Sequence, residues 1–250
     1  MNQKKYPSKG RFLLRSLIIL AIPALLSFST IHYRKIHLAP APNPGHNKSL
    51  VLELYNMLAL DSLGLSRRAF DEAVTGYINL QRSGILQNKS ILSIVDFSAP
   101  SSKKRLFVLD MENGKLLFNT LVAHGRNSGE LLATRFSNKF RSYKSSLGFY
   151  LTGATYQGQN GYALRLLGME KGINDNAYNR GIVMHAAPYV NDDISKTYGR
   201  LGRSEGCPAI PIDIHRPVIE AIKDGSCLFI YGNDKRYASR SRILKDQKVS

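Results

Sequence analysis

A chain of 250 residues that is 43% hydrophobic and holds 13 tyrosines carries the apolar material for a sizeable core, which excludes a disordered polypeptide. Its formal net charge of +17 is concentrated at the ends: residues 1–37 carry seven basic side chains and no acid, and residues 233–250 carry six against Asp234 and Asp246. Such a distribution suits an anionic membrane or polymer surface, and without a recognition helix, a zinc spacing or an aromatic-basic platform it argues against nucleic acid.

The N-terminus has the layout of an export signal. Basic residues between Met1 and Arg15 precede an apolar run, Leu17–Ile31, interrupted by Pro23. The run is short for a membrane span, but Phe12 to Leu14 extend it enough for an uncleaved anchor. Residues 1–38 therefore read as a signal peptide or signal anchor. This implies export to the periplasm or cell envelope, with attachment to the inner membrane if the segment is retained. Residues 39–48, with prolines at 40, 42 and 44, read as a linker.

From Ser49 the pattern turns helical. Leu50, Leu52, Leu54, Tyr55, Met57 and Leu58 fit one amphipathic helix closed near Gly64. Ser66 caps a second, with Phe70, Ala73, Val74, Tyr77 and Leu80 on its apolar side. Residues 49–98 are expected to form a small helical cap. Past Ser98–Ser102 the period changes to two, and Arg105–Asp110 and Lys115–Val122 read as a hairpin turned at Asn113-Gly114. Further strands are expected at Ser145–Thr152, Tyr162–Leu166, Gly181–His185 and Cys227–Tyr231. Lys171–Arg180 reads as a polar loop, and Asp213–Ile222 as a helix with Asp213 as N-cap and Gly225 as stop. Residues 99–232 thus make a mainly β domain with some helix, an α+β fold, and residues 233–250 a basic tail.

The chemistry concentrates between His185 and Cys207. A thiol with an unperturbed pKa of roughly 8.5 needs a base or a positive environment to act as a nucleophile. His185, at the end of the apolar run Gly181–Met184, is the leading base. Arg200 and Arg203 add positive potential, and Gly206 lets backbone pass close to a reacting carbonyl. The stretch Arg200–Pro208 is polar and glycine-rich, so it reads as a loop, where packing alone explains a cysteine poorly. Cys227 sits in an apolar run and reads as a packed thiol, with a Cys207–Cys227 disulfide as the alternative. A zinc set of His124, His185 and Cys207 is disfavoured by irregular spacing.

Several stretches together resemble the L,D-transpeptidase catalytic domain of YkuD type: Arg105–Asp110, Leu121–Gly125, Lys144–Tyr150, Gly172–Ala177 and Gly199–Ala209. The resemblance covers roughly Ser49 to Tyr231. It implies a β-sandwich or barrel with a small N-terminal helical cap, peptidoglycan stem peptides as substrate and no cofactor or metal. It carries over Cys207 as nucleophile, His185 as the upstream histidine 22 positions before it, and Ser204 and Gly206 as motif residues. Where the broader family has histidine two residues before the cysteine, this chain has Glu205, a poor base for a thiol. Base catalysis then falls on His185, unless His124 or His215 folds into the site. Arg200, Arg203 and Arg165 are expected to hold substrate carboxylates, Ser204 to orient His185, and Tyr189 to line the groove. The same nucleophile also suits an L,D-carboxypeptidase or amidase, and a non-catalytic peptidoglycan-binding module remains the alternative of another class.

Overall fold

Residues 44–245 are described by a computed structural model, and all of them fall within one compact unit. The expected export signal, residues 1–38, lies outside the described residues. The chain opens with helices α1 (Pro44–Met57) and α2 (Arg67–Arg82). As the spacing predicts, Ser66 caps α2 by accepting from the Ala69 amide. The apolar side of α2, from Ala69 and Phe70 through Ala73, Val74 and Tyr77 to Leu80, is buried, each large side chain contributing about 2–3 kcal/mol. Gly76 has no room for a side chain: a Cβ there would stand 2.0 Å from the Phe149 ring.

Strands β1 (Ile91–Asp96), β2 (Leu106–Asp110) and β3 (Lys115–Thr120) follow. β2 and β3 are the expected hairpin, with Gly114 at φ +60° in its turn and Asp110 Oδ1 accepting from the Glu112 and Asn113 amides. Next come β4 (Gly148–Gly158), β5 (Gly161–Gly168), β6 (Val183–Ala186), helix α3 (Asp192–Tyr198) and β7 (Ala209–Ile210). Helix α4 (His215–Ile222), strand β8 (Cys227–Tyr231) and two short helices, α5 (Tyr237–Arg240) and α6 (Arg242–Lys245), complete the order.

The eight strands of the described residues form one mixed sheet in the order β3-β2-β1-β8-β4-β5-β6-β7, antiparallel except at β1–β8 and β6–β7. Its two edges meet. Just past β3, Ala123 bridges Ala209 of β7, the Ala123 amide donating to the Ala209 carbonyl at 2.8 Å, and Gly125 bridges Ser204. The sheet is therefore nearly closed, which hides edge strands that would otherwise expose unpaired backbone groups. The seam of this closure runs beside Cys207.

Four expectations need correction. Ile91–Asp96, read as part of a helical cap, is an inner strand of the sheet, between β2 and β8. Helix α1 starts at Pro44, inside the stretch read as a linker, because proline is well suited to a first helical position. The segment read as a basic tail packs through buried Tyr237 and Ile243, with Asn79 of α2 donating to the Ile243 carbonyl. Helix α4 has Ile214 at its N-cap with no side-chain cap bond, so Asp213 does not serve there. Among the described residues, no helix is long and apolar enough to cross a membrane.

Candidate active site

The loop before β7 is shaped by one hydroxyl and one glycine. Ser204 is held through its backbone, its amide donating to the His124 carbonyl at 3.0 Å and its carbonyl accepting from the Arg126 amide at 2.7 Å. Its Oγ accepts from the Gly206 amide at 3.0 Å and donates to the Cys207 carbonyl at 2.6 Å. Gly206 adopts φ +130°, and a Cβ there would lie 2.9 Å from the Lys144 carbonyl oxygen, so conformation and space both require glycine. The Gly206 carbonyl accepts from Ser145 Oγ, which in turn accepts from the Gly125 amide.

This turn delivers Cys207 to the start of β6. The half-buried thiol is free; its sulfur accepts from the Val183 amide at 3.5 Å and lies 3.6 Å from the Gly181 carbonyl. His185 follows two residues after Val183, on the same face of β6, and pairs across the parallel ladder with Ala209. Its Nδ1–H donates to the Ala186 carbonyl at 2.8 Å, which leaves the Nε2 lone pair as the basic position. The imidazole and the thiol do not hydrogen-bond to each other in this structure. Burial lowers the pKa of His185. Burial also pushes the Cys207 thiol up, partly offset by the Val183 amide and the positive charge of Arg180, while Glu205 adds to the rise. At neutral pH the resting pair is thiol and neutral imidazole.

The other residues named from sequence are spread around this centre. Ser204 braces the cysteine turn and does not bond to His185. Arg200 and Arg203 both pair with Glu130, and Arg203 also donates to the Arg126 and Gly129 carbonyls, so they tie loops together. Arg165 stands opposite Val183 on β5, its guanidinium over the Tyr156 and Tyr178 rings. Tyr189 packs against Gly202; burial and the nearby Cys207 and Glu205 push its phenol up to about 12. Glu205 is exposed and pairs with Arg126 at 3.4 Å.

Neither spare histidine enters the site. His124 is fully buried: its Nδ1 accepts from Arg105 at 2.8 Å and its Nε2–H donates to the Gly129 carbonyl. His215 donates through Nδ1 to the Ile212 carbonyl at the start of α4. The sequence reading missed Arg180, whose guanidinium stands beside the Gly206–Cys207 turn. Nothing local distinguished it from the other charges of the polar loop 171–180. Cys227 lies buried on β8, and its thiol is free.

A family model described as the L,D-transpeptidase catalytic domain matches residues 62–231. The chain belongs to this family. No curated protein matches it. Among solved structures it is similar to an L,D-transpeptidase from Mycobacterium smegmatis, at 15% identity and TM-score 0.36 over 57% of this chain and 59% of that one. It is also similar to the L,D-transpeptidase (Yku) from Stackebrandtia nassauensis, at 14% identity and TM-score 0.36 over 75% and 78% of the two chains. A third is the helical cell shape determining protein Pgp2 (K307A mutant) from Campylobacter jejuni, at 16% identity and TM-score 0.39 over 66% and 57%. The chain spans about three fifths of the length of the first of these.

The L,D-transpeptidase match runs from before α2 to the last residue of β8, so it takes in α2 and β1. It includes Cys207, His185 and Arg180. Helices α5 and α6 lie beyond it yet pack onto it through the buried Glu170 carboxylate, which accepts from Tyr237 and Ser241.

Proposed function

We propose that this L,D-transpeptidase domain acts on peptidoglycan stem peptides by acyl transfer through a thioester on Cys207. The observation that carries the reading is the free, half-buried thiol at the sheet-closing seam, held against the Val183 amide two residues before a histidine whose Nδ1–H is committed to Ala186. Such an imidazole has Nε2 available for one proton and is fixed in the tautomer a general base requires.

In the first half-reaction the thiol proton passes to His185 Nε2, and sulfur attacks the carbonyl carbon of the third stem residue, a diaminopimelate. The tetrahedral oxyanion draws on donors near the sulfur. The Cys207 amide donates to no acceptor among the described residues, and neither does the Tyr189 hydroxyl, which stays protonated at neutral pH. Collapse breaks the amide bond, and the leaving D-alanine amine takes the proton from His185. In the second half-reaction an amine of a neighbouring stem peptide attacks the thioester carbonyl and gives a proton back to His185. The thiolate departs and is reprotonated, and the new amide is the crosslink. The basic N-terminal segment and its apolar run support an exported protein working in the cell envelope, held near the membrane if that segment stays attached.

The test is intact-mass analysis after exposure to a carbapenem, a strained acyl donor for an activated thiol. The expected result is one drug adduct, mapped to Cys207 and absent in Cys207→Ala. Incubation with muropeptides should then yield crosslinked products with loss of D-alanine. No adduct and no product, with the Cys207 thiol free by titration, would move the protein to the class of peptidoglycan-binding modules. Products shortened without crosslinking would make it a hydrolase.

A further inference from the structure

Arg180 is a half-buried cation with no anion beside it among the described residues. Its guanidinium donates four hydrogen bonds, all to neutral oxygens: Nη1 to the Ser137 carbonyl at 2.8 Å and Ser146 Oγ at 2.5 Å, Nη2 to the Lys144 carbonyl at 2.7 Å and Ser142 Oγ at 3.3 Å. No carboxylate pairs with it among the described residues. By contrast Arg126, Arg200 and Arg203 are each paired with a carboxylate. Holding an unpaired charge even partly out of water is costly, and partial burial lowers the Arg180 pKa accordingly. Four fixed bonds keep that charge in one place.

The place is the cysteine turn. Nη2 stands 3.4 Å from where a Cβ on Gly206 would sit, and Gly206 precedes Cys207. The residues just after Arg180 wrap the sulfur, Gly181 through its carbonyl and Val183 through its amide. The other titratable groups acting at this position are Glu205, whose exposed carboxylate opposes a thiolate, and Tyr189, held protonated; buried Tyr150, also held protonated, acts on Arg180 itself, and His185 is held neutral two residues along β6 from Val183.

We infer that Arg180 stabilises the Cys207 thiolate as a fixed through-space charge, without touching substrate. The inference rests on the acyl-transfer reading above. When the S–H proton moves to His185 Nε2, negative charge appears on a sulfur that burial would otherwise keep neutral. A preorganised guanidinium meets that charge with no reorganisation. It performs this role in a chain whose cysteine motif carries glutamate where the broader family has histidine. Arg180 is thus a positioning residue in the electrostatic sense, acting on the nucleophile rather than on the stem peptide.

The test is the pH dependence of iodoacetamide alkylation at Cys207 in the full chain, read by peptide mass, for wild type, Arg180→Lys, Arg180→Gln and Ser142→Asp. An opposite charge at this range shifts a pKa by about one unit or more. The alkylation midpoint should therefore rise by about one unit in Arg180→Gln, with roughly tenfold slower labelling at neutral pH. Arg180→Lys should keep the wild-type midpoint while melting earlier, because an ammonium cannot make all four bonds of the fork. Ser142→Asp leaves the arginine in place and neutralises it, so its midpoint should rise as well, and it decides the matter if Arg180→Gln does not fold. Equal midpoints in a reactive wild type and in the neutralised variants would overturn this inference alone. So would a rise in Arg180→Lys equal to that in Arg180→Gln, since Arg180 would then be a loop clamp. A wild-type thiol inert at every pH would overturn the acyl-transfer reading and this inference together.

Discussion

Ser204 Oγ donates to the Cys207 carbonyl at 2.6 Å while accepting from the Gly206 amide, so a single hydroxyl spans the turn that carries the thiol. Ser204→Ala removes both bonds and leaves a buried amide unsatisfied. The expected cost is about 1–2 kcal/mol in stability. Carbapenem acylation should slow by about tenfold or more, because a nucleophile displaced by a fraction of an ångström reacts poorly. Ser204→Thr keeps the hydroxyl and should retain most of the rate. Equal loss in both variants, measured by intact mass against time, would show that the hydroxyl is not what shapes the turn.

Stability should fall in mild acid, and His124 should be a principal cause. Burial and the adjoining Arg105 guanidinium hold its pKa at about 4, against 6.5 for an unperturbed histidine. As pH falls, the unfolded chain takes up this proton before the folded one. His124 therefore contributes its full stability above about 6.5 and loses it progressively down to about 4. The loss amounts to about 3 kcal/mol. His185, also lowered by burial, adds in the same direction. Urea denaturation between pH 7 and 4 should show this slope, and His124→Gln should be less stable at pH 7 but flatter. An unchanged slope in the variant would count against a neutral buried His124.

The two thiols should differ sharply in reactivity. Cys207 is half-buried at the seam, whereas Cys227 is fully buried between Leu92 of β1 and Leu151 of β4, where burial pushes its pKa far up. A disulfide reagent should label one cysteine quickly in the native protein and both in denaturant. Cys227→Ala should leave native labelling intact and cost about 1 kcal/mol through the small cavity it opens. Native labelling of Cys227, or failure to label either cysteine without prior reduction, would contradict this arrangement.

Glu170 pins the C-terminal helices to the sheet. Its carboxylate, 4% exposed, accepts from the Phe149 amide and the Tyr237 hydroxyl, both at 2.8 Å, and from the Ser241 hydroxyl. Glu170→Ala strands three buried donors and should cost about 3 kcal/mol or more. Limited proteolysis should then cut first near residues 233–245. Glu170→Gln should be far milder, because a side-chain oxygen can still serve Phe149 and Tyr237 while Ser241 rotates to accept. Burial raises the Glu170 pKa, so the folded state favours the protonated acid and loses stability as pH rises and the group ionises; the gap between Gln and wild type should therefore narrow or reverse at pH 7 relative to pH 4. Thermal melts at the two pH values measure it.

Strand β8 was legible to the residue, because a strand buried on both faces reads as one continuous apolar run, Cys227–Tyr231. Strand β1 was not, although it is as deeply buried. Its pattern is broken by Ser93 and Asp96, both inaccessible to solvent. The partners that make Asp96 tolerable there, the Ser66 amide and the Ser98 backbone and side chain, include a residue thirty positions away. Helix α3 escaped notice because it is short and mostly polar, resting on the Asn191 side-chain cap and ending at Gly199 in the left-handed region. In the site, the motif marked Ser204, Gly206 and Cys207, but the arginines were separable only by their partners. Glu130, some seventy positions before Arg200 and Arg203, ties up those two, while among the described residues no acid pairs with Arg180.

By itself the sequence determined what depends on near neighbours: the Ser66-capped helix, the Asn113-Gly114 hairpin, and a glycine-rich turn presenting one cysteine after a histidine-bearing strand. Periodicity, caps and turns act over a few residues, so a linear reading can see them. Only the tertiary structure decided which groups share that turn. Closure of the sheet at Ala123–Ala209 brings residues 123–126, 144–146, 180–185 and 204–209 together. The bond from Ser145 to Gly206 spans 61 positions, and the four bonds of Arg180 span 34 to 43. Such bonds form only where the chain path delivers donor and acceptor at once, and no local pattern records that path.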